Sequence, residues 1–153
     1  MKRKFKKIAI VFLIVFIAIQ FYQPKQNKGY TIDIGENFAN NYKVPPSVLN
    51  SLQKACYDCH SNDTKYLWYD YIQPARMFVE SHIKNGKKEL NFNEFASYSN
   101  RKQQSKLEAI SKEVKSGDMP LSSYTLLHHD AKLTKEEKEA IIVWIDKTLN
   151  STN

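Results

Sequence analysis

Glycine and proline are scarce, four and five in 153 residues, which excludes a collagen-like repeat or a low-complexity linker chain. No run alternates apolar and polar residues with a period of two between turn signals, so a sheet domain is not expected. No internal repeat appears. Cysteine is limited to two residues, neither near the N-terminal apolar run, so no lipoprotein-type lipidation site exists. No candidate general base, nucleophile or second metal site stands out, and the chain is not expected to be an enzyme. What remains is ordinary for a folded domain, 42% hydrophobic and 25% charged, with room for one small domain after a terminal segment.

The net charge of +7 invites a nucleic-acid reading, but its location argues against one. Lys2, Arg3, Lys4, Lys6 and Lys7 precede the first apolar run, and the other 18 Lys and Arg face 16 Asp and Glu. A phosphate-binding footprint belongs on the folded domain, so no nucleic-acid partner is expected. The basic head followed by Ile8 to Ile19, all apolar, reads as an export signal. That run is short for a membrane span, which needs about 17–25 residues, but Phe5 to Tyr22 gives 18. Ala18-Ile19-Gln20-Phe21-Tyr22 lacks the small residues a signal peptidase needs. The expectation is an uncleaved single-pass transmembrane helix in the cytoplasmic (inner) membrane, the five cations keeping the N-terminus inside and the domain on the periplasmic side.

Residues 1–22 are therefore assigned to the anchor or signal, 23–44 to a polar tether, and 45–150 to an all-α domain. After Pro45-Pro46, Ser47 can cap a helix whose stripe is Val48, Leu49, Leu52 and Ala55. Pro74 suits a first helical turn, Met77 and Phe78 read as core, and Asn85-Gly86 reads as a terminator. Phe92 and Phe95 are expected to anchor a loop. Ser99 or Asn100 can cap a helix with Leu107, Ile110 and Val114 on one face, closed by Gly117. Thr134 and Glu137 form a capping box before a helix whose apolar face is Ile141, Val143, Trp144, Ile145 and Leu149.

The strongest chemical signal is Cys56-Tyr57-Asp58-Cys59-His60, a C-x-x-C-H run. Two thiols three residues apart on one helical turn can each form a thioether with a haem vinyl group, and the adjacent imidazole falls over the iron. Rival readings fit less well. A redox dithiol starts a helix after a strand, whereas here a helix precedes the motif. A structural zinc site wants a His-x₃₋₅-His pair, and His128 and His129 are adjacent. A plain disulfide across two residues stabilises little. One covalent haem c is the expected cofactor.

Residues 56–64, then Trp68-Tyr69, Ile72-Gln73-Pro74, Gly86 to Phe92, Gly117-Asp118-Met119-Pro120 and Leu133 to Trp144 together resemble the bacterial haem-binding-domain family, similar to single-haem class I cytochromes c. The likeness covers about residues 45–148 and implies a cytochrome c-like helical domain around one covalent haem. It also implies Met119, in a Met-Pro pair after a helix, as the distal ligand opposite His60. A methionine near a helix end more often fills core space, and His82, His128 and His129 are rival ligands. Pro74 is the candidate carbonyl acceptor for the free N–H of His60. Trp68, Tyr71 and Arg76 are candidates to line the haem.

Two functions follow. One is a six-coordinate electron carrier, shuttling on its tether between membrane or periplasmic redox proteins. The other is a haem-based gas or redox sensor, or a small peroxidase, with an open sixth position.

Overall fold

Helix is the regular structure of the described residues, which in this computed structural model are 2–29, 38, 39 and 41–151. Six helices follow one another: α1 (Lys2–Gln20), α2 (Pro46–His60), α3 (Ala75–Glu89), α4 (Asn100–Ser116), the single turn α5 (Ser122–Thr125) and α6 (Lys135–Ser151). Short 3₁₀ turns cover Trp68–Tyr71, Phe95–Ser97 and His129–Ala131. Among the described residues there is no strand, and the one isolated bridge joins Lys28 to Asp63. The chain is all-α, as its patterning implies.

Local chemistry sets most boundaries. Pro46 opens α2 at a position whose N–H has no intrahelical partner, so the helix starts one residue before Ser47 and uses no side-chain cap. Gly117 stops α4 in the left-handed region at φ 82°, a conformation that costs other residues a Cβ clash. Ser99 occupies the N-cap position of α4. At α6 the Thr134 N–H donates to Glu137 Oε2 at 2.9 Å and the Glu137 N–H donates to Thr134 Oγ1 at 3.2 Å, the reciprocal box the sequence encodes.

The core forms where α2, α4 and α6 meet. Val48, Leu52 and Ala55 of α2, Leu107, Ile110 and Val114 of α4, and Ile141, Trp144 and Ile145 of α6 are buried. Phe92 and Phe95 anchor the loop between α3 and α4. Phe38 lies at the centre, edge-on to Phe92, Phe95 and Trp144 with centroids 4.9–6.0 Å apart. It lies in the stretch expected to be tether; residues 30–37 and 40 of that stretch lie outside the described residues. Lys54 of α2 pairs with Glu137 at 2.6 Å and ties α2 to the start of α6. Three expectations are corrected here. Met77, Phe78 and Val143 are exposed rather than core.

The fourth correction concerns α1. The helix ends at Gln20, and Lys6 and Lys7 lie within it. Its uninterrupted apolar run, Ile8–Ile19, rises about 18 Å at 1.5 Å per residue, against a hydrocarbon core of about 30 Å. Among the described residues no helix is long and apolar enough to cross a membrane. Nor do residues 23–29 hang free. Asn27 Nδ2 donates to Ser61 O and to Thr64 Oγ1, both at 2.9 Å, and the Asn27 N–H donates to Tyr66 Oη at 2.6 Å. The Gly29 N–H donates to Asn62 O at 2.7 Å, an approach so close that a Cβ on Gly29 would sit 2.6 Å from that oxygen.

Candidate haem-attachment site

The last turns of α2 carry Cys56, Cys59 and His60 together, half-buried and without a disulfide. Burial, with Cys59 alongside, pushes the Cys56 thiol up to about 12, and burial with Asp58 and Asp70 nearby pushes Cys59 up to about 11. Both remain thiols near neutrality. Thiol–disulfide exchange and zinc binding both need the thiolate. Among the described residues no three His, Cys, Asp or Glu side chains cluster as a metal cage. A redox dithiol works through a lowered thiol pKa, the opposite of the direction found for both cysteines.

His60 is held at two points by the segment that leaves α3. Its Nδ1 lies 3.1 Å from Leu90 O, and its own carbonyl accepts the Phe92 N–H at 2.8 Å. Burial lowers the imidazole's pKa, partly countered by the bonds to Leu90 and Gly86, so the ring is neutral. With Nδ1–H donating to Leu90 O, the Nε2 lone pair is left free to bind a metal. The expected acceptor, Pro74, is corrected: its carbonyl takes the Phe78 N–H at 3.2 Å at the start of α3. The segment is itself fixed by buried Asn91, whose Nδ2 donates to Asn62 Oδ1 and Glu94 Oε1, each at 2.9 Å.

Met119 reaches the same place from α4. The N–H groups of Gly117 and Met119 both donate to Glu113 O, at 3.1 and 3.2 Å, which folds the chain back over the helix end. Two adjoining cavities of about 220 and 240 Å³ result, both lined by Cys56, His60, Glu89 and Met119. Cys59 and Tyr124 line the first, and Leu90, Phe92 and Ile110 line the second. The four expected site residues therefore share one largely apolar cleft. Such a cleft, with two thiols and a neutral imidazole on one wall and a thioether on its rim, fits a flat apolar macrocycle with a central metal.

The rival histidines fall differently. His82 also lines the first cavity, its Nδ1 2.9 Å from Phe78 O. His128 lines a third cavity, of about 140 Å³, that also borders Cys59. Its Nε2 is 2.6 Å from Tyr69 Oη, and its ring stacks on Tyr124 at 4.1 Å. His129 is exposed and lines none of the three. Trp68, Tyr71 and Arg76 do not line them either. Two residues that no motif marked do: Tyr124, whose hydroxyl donates to Asp58 Oδ2 at 2.7 Å, and buried Asp70.

The chain belongs to the haem-binding domain family, whose model matches residues 14–147. It is also similar to the cytochrome c peroxidase Ccp of Escherichia coli (strain K12), 28% identical over 144 residues. That alignment takes in 92% of this chain and 30% of the peroxidase, so the chain spans less than a third of that relative's length. No solved structure matches.

Proposed function

We propose that the protein carries one haem c, covalently attached through Cys56 and Cys59, and works as an electron carrier. The observation that supports this most is the convergence of Cys56, Cys59, His60 and Met119 on one cleft. Each protonated thiol can add its S–H across a vinyl double bond, forming one C–S bond with the hydrogen passing to the neighbouring carbon. A haem bound there supplies a one-electron iron couple. His60 presents Nε2, kept neutral by burial and oriented by Leu90 O. Met119 offers its sulfur from the α4 terminus, and the apolar walls exclude water.

The domain is exported and held at the membrane surface by α1, whose apolar run enters the lipid without crossing it. Support comes from the basic head and apolar run, which read as an export signal, and from apolar side chains along α1 that remain about half exposed or more. Its partners are membrane or periplasmic redox proteins. Likeness to a peroxidase favours a second reading, peroxide or gas chemistry at an open sixth position. Because the likeness covers 30% of that enzyme and Met119 stands in the cleft, the carrier reading is preferred.

Replacing both Cys56 and Cys59 with Ala, in a host with a cytochrome c maturation system, should abolish the haem-staining band on a denaturing gel; a surviving band sinks covalent attachment. Met119→Ala should remove the weak near-infrared sulfur-to-iron band and let the reduced protein bind carbon monoxide readily. His82→Ala should leave both unchanged. The reverse pattern would mean bis-histidine ligation, and rapid carbon monoxide binding by the unaltered protein would favour the sensor or peroxidase reading.

A further inference from the structure

The domain carries an apolar face that the cleft does not use, and this face begins where α1 ends. Gln73 is buried, and its backbone N–H donates to Gln20 Oε1 at 2.9 Å while its Nε2 donates to Tyr22 O at 2.6 Å. Gln20 Nε2 reaches Gln73 O at 3.3 Å. Three residues on, the Arg76 guanidinium bonds to the Gln23 side chain and donates to Pro24 O at 2.6 Å. The 71–78 stretch is thus clamped to the end of α1 and cannot turn independently of it.

Around that clamp several exposed side chains are apolar. Ile72 and Tyr71 immediately precede Gln73, and Trp68 opens the same 3₁₀ turn at 76% exposure. Phe21 and Tyr22 project from the α1 side, Phe21 at 84% exposure. The other tryptophan, Trp144, is in the core, so the exposure of Trp68 is not a general looseness of aromatics. Four of these five residues are Trp, Tyr or Phe. Tryptophan and tyrosine concentrate at the level of lipid headgroups, where one end of the ring is apolar and the other wet.

We propose that Phe21, Tyr22, Trp68, Tyr71 and Ile72 form a lipid-docking face that seats the domain on the bilayer holding α1. The proposal rests on the membrane reading of α1 given above. A lipid occupant is favoured over a protein because the face is continuous with the apolar helix, through hydrogen bonds that hold the two in register. Docking of this kind fixes the angle between the C-terminal turn of α2 and the membrane plane.

The test uses full-length haem-loaded protein in oriented phosphatidylethanolamine–phosphatidylglycerol multilayers, read by linear dichroism of the haem absorption. The unaltered protein should show clear angular dependence. The triple change Trp68→Ser, Tyr71→Ser, Ile72→Ser should reduce the anisotropy at least twofold, with Trp68→Glu alone giving an intermediate loss. Solution spectra and haem content that match the unaltered protein establish that both variants are folded. Isotropic signal from unaltered protein that still sediments with lipid overturns the docking face and leaves the anchor standing. Full anisotropy in the triple variant overturns it too, as does order that returns only when a partner complex is added. Failure to sediment with lipid defeats the anchor reading itself.

Discussion

Asp70 is the least comfortable residue near the cleft. It is buried, its Oδ2 accepts the Leu67 N–H at 2.7 Å, and its Oδ1 has no partner. Burial raises its pKa above the ordinary carboxylate value, with Asp58 adding to the shift and the Leu67 bond and His128 opposing it. A carboxyl whose folded pKa is raised binds its proton more tightly in the folded state. Its contribution is therefore favourable below the unfolded value and is lost as pH climbs through the folded value. Asp70→Asn keeps an acceptor for Leu67 and removes the titration. The melting temperature of the variant minus that of the parent should rise as pH increases upward from about 4; a difference constant with pH would refute the assignment. Nothing in Tyr69-Asp70-Tyr71 signals a buried acid, although Asp70 shares a cavity with Tyr124 of α5, remote in sequence. Cys56, Cys59 and His60 are legible because their chemistry lies within five consecutive residues. Leu90 is not, because a backbone carbonyl has no residue signature.

Among the helices, the packing of α3 on α2 depends on one residue that local signals misread. Asn85-Gly86 looks like a helix terminator, yet α3 continues through it to Glu89. The reason is tertiary. A Cβ on Gly86 would lie 2.9 Å from Cys59 O and 3.4 Å from Cys59 Cβ, so only glycine lets the helix lie against the attachment turn. Gly86→Ala gains about 1 kcal/mol of helix propensity, but overpacking against backbone costs about 1–3 kcal/mol. A net loss of stability is expected in chemical denaturation, together with a lower yield of covalent haem from the displaced Cys59. A variant as stable and as fully loaded as the parent would show that the contact is not tight. Gly117 makes the contrast: its left-handed φ serves its own helix end, so the sequence alone reveals it. The apolar stripes of α2, α4 and α6 are legible for the same local reason, whereas the exposed side of α3, with Met77 and Phe78, is not.

At the scale of the whole molecule, polar composition conceals a docked strap. Pro24 to Gly29 reads as a flexible linker, but its partners lie 33 to 60 residues away, Lys87 Nζ donating to Asn27 Oδ1 at 2.7 Å among them. Hydrogen bonds to such distant residues leave no periodicity to detect. A carrier on a loose tether samples a hemisphere, and its effective concentration at a partner follows the linker's reach. On the proposed membrane-held carrier, the fastened strap would collapse that hemisphere to a fixed height above the lipid. Encounters then depend on lateral diffusion within the membrane, a search in two dimensions whose frequency scales with the surface density of partners. On that same proposal, exchange with a donor or acceptor whose own redox centre stands at another height would require the strap to come undone, and the Asn27 contacts would then select partners by altitude.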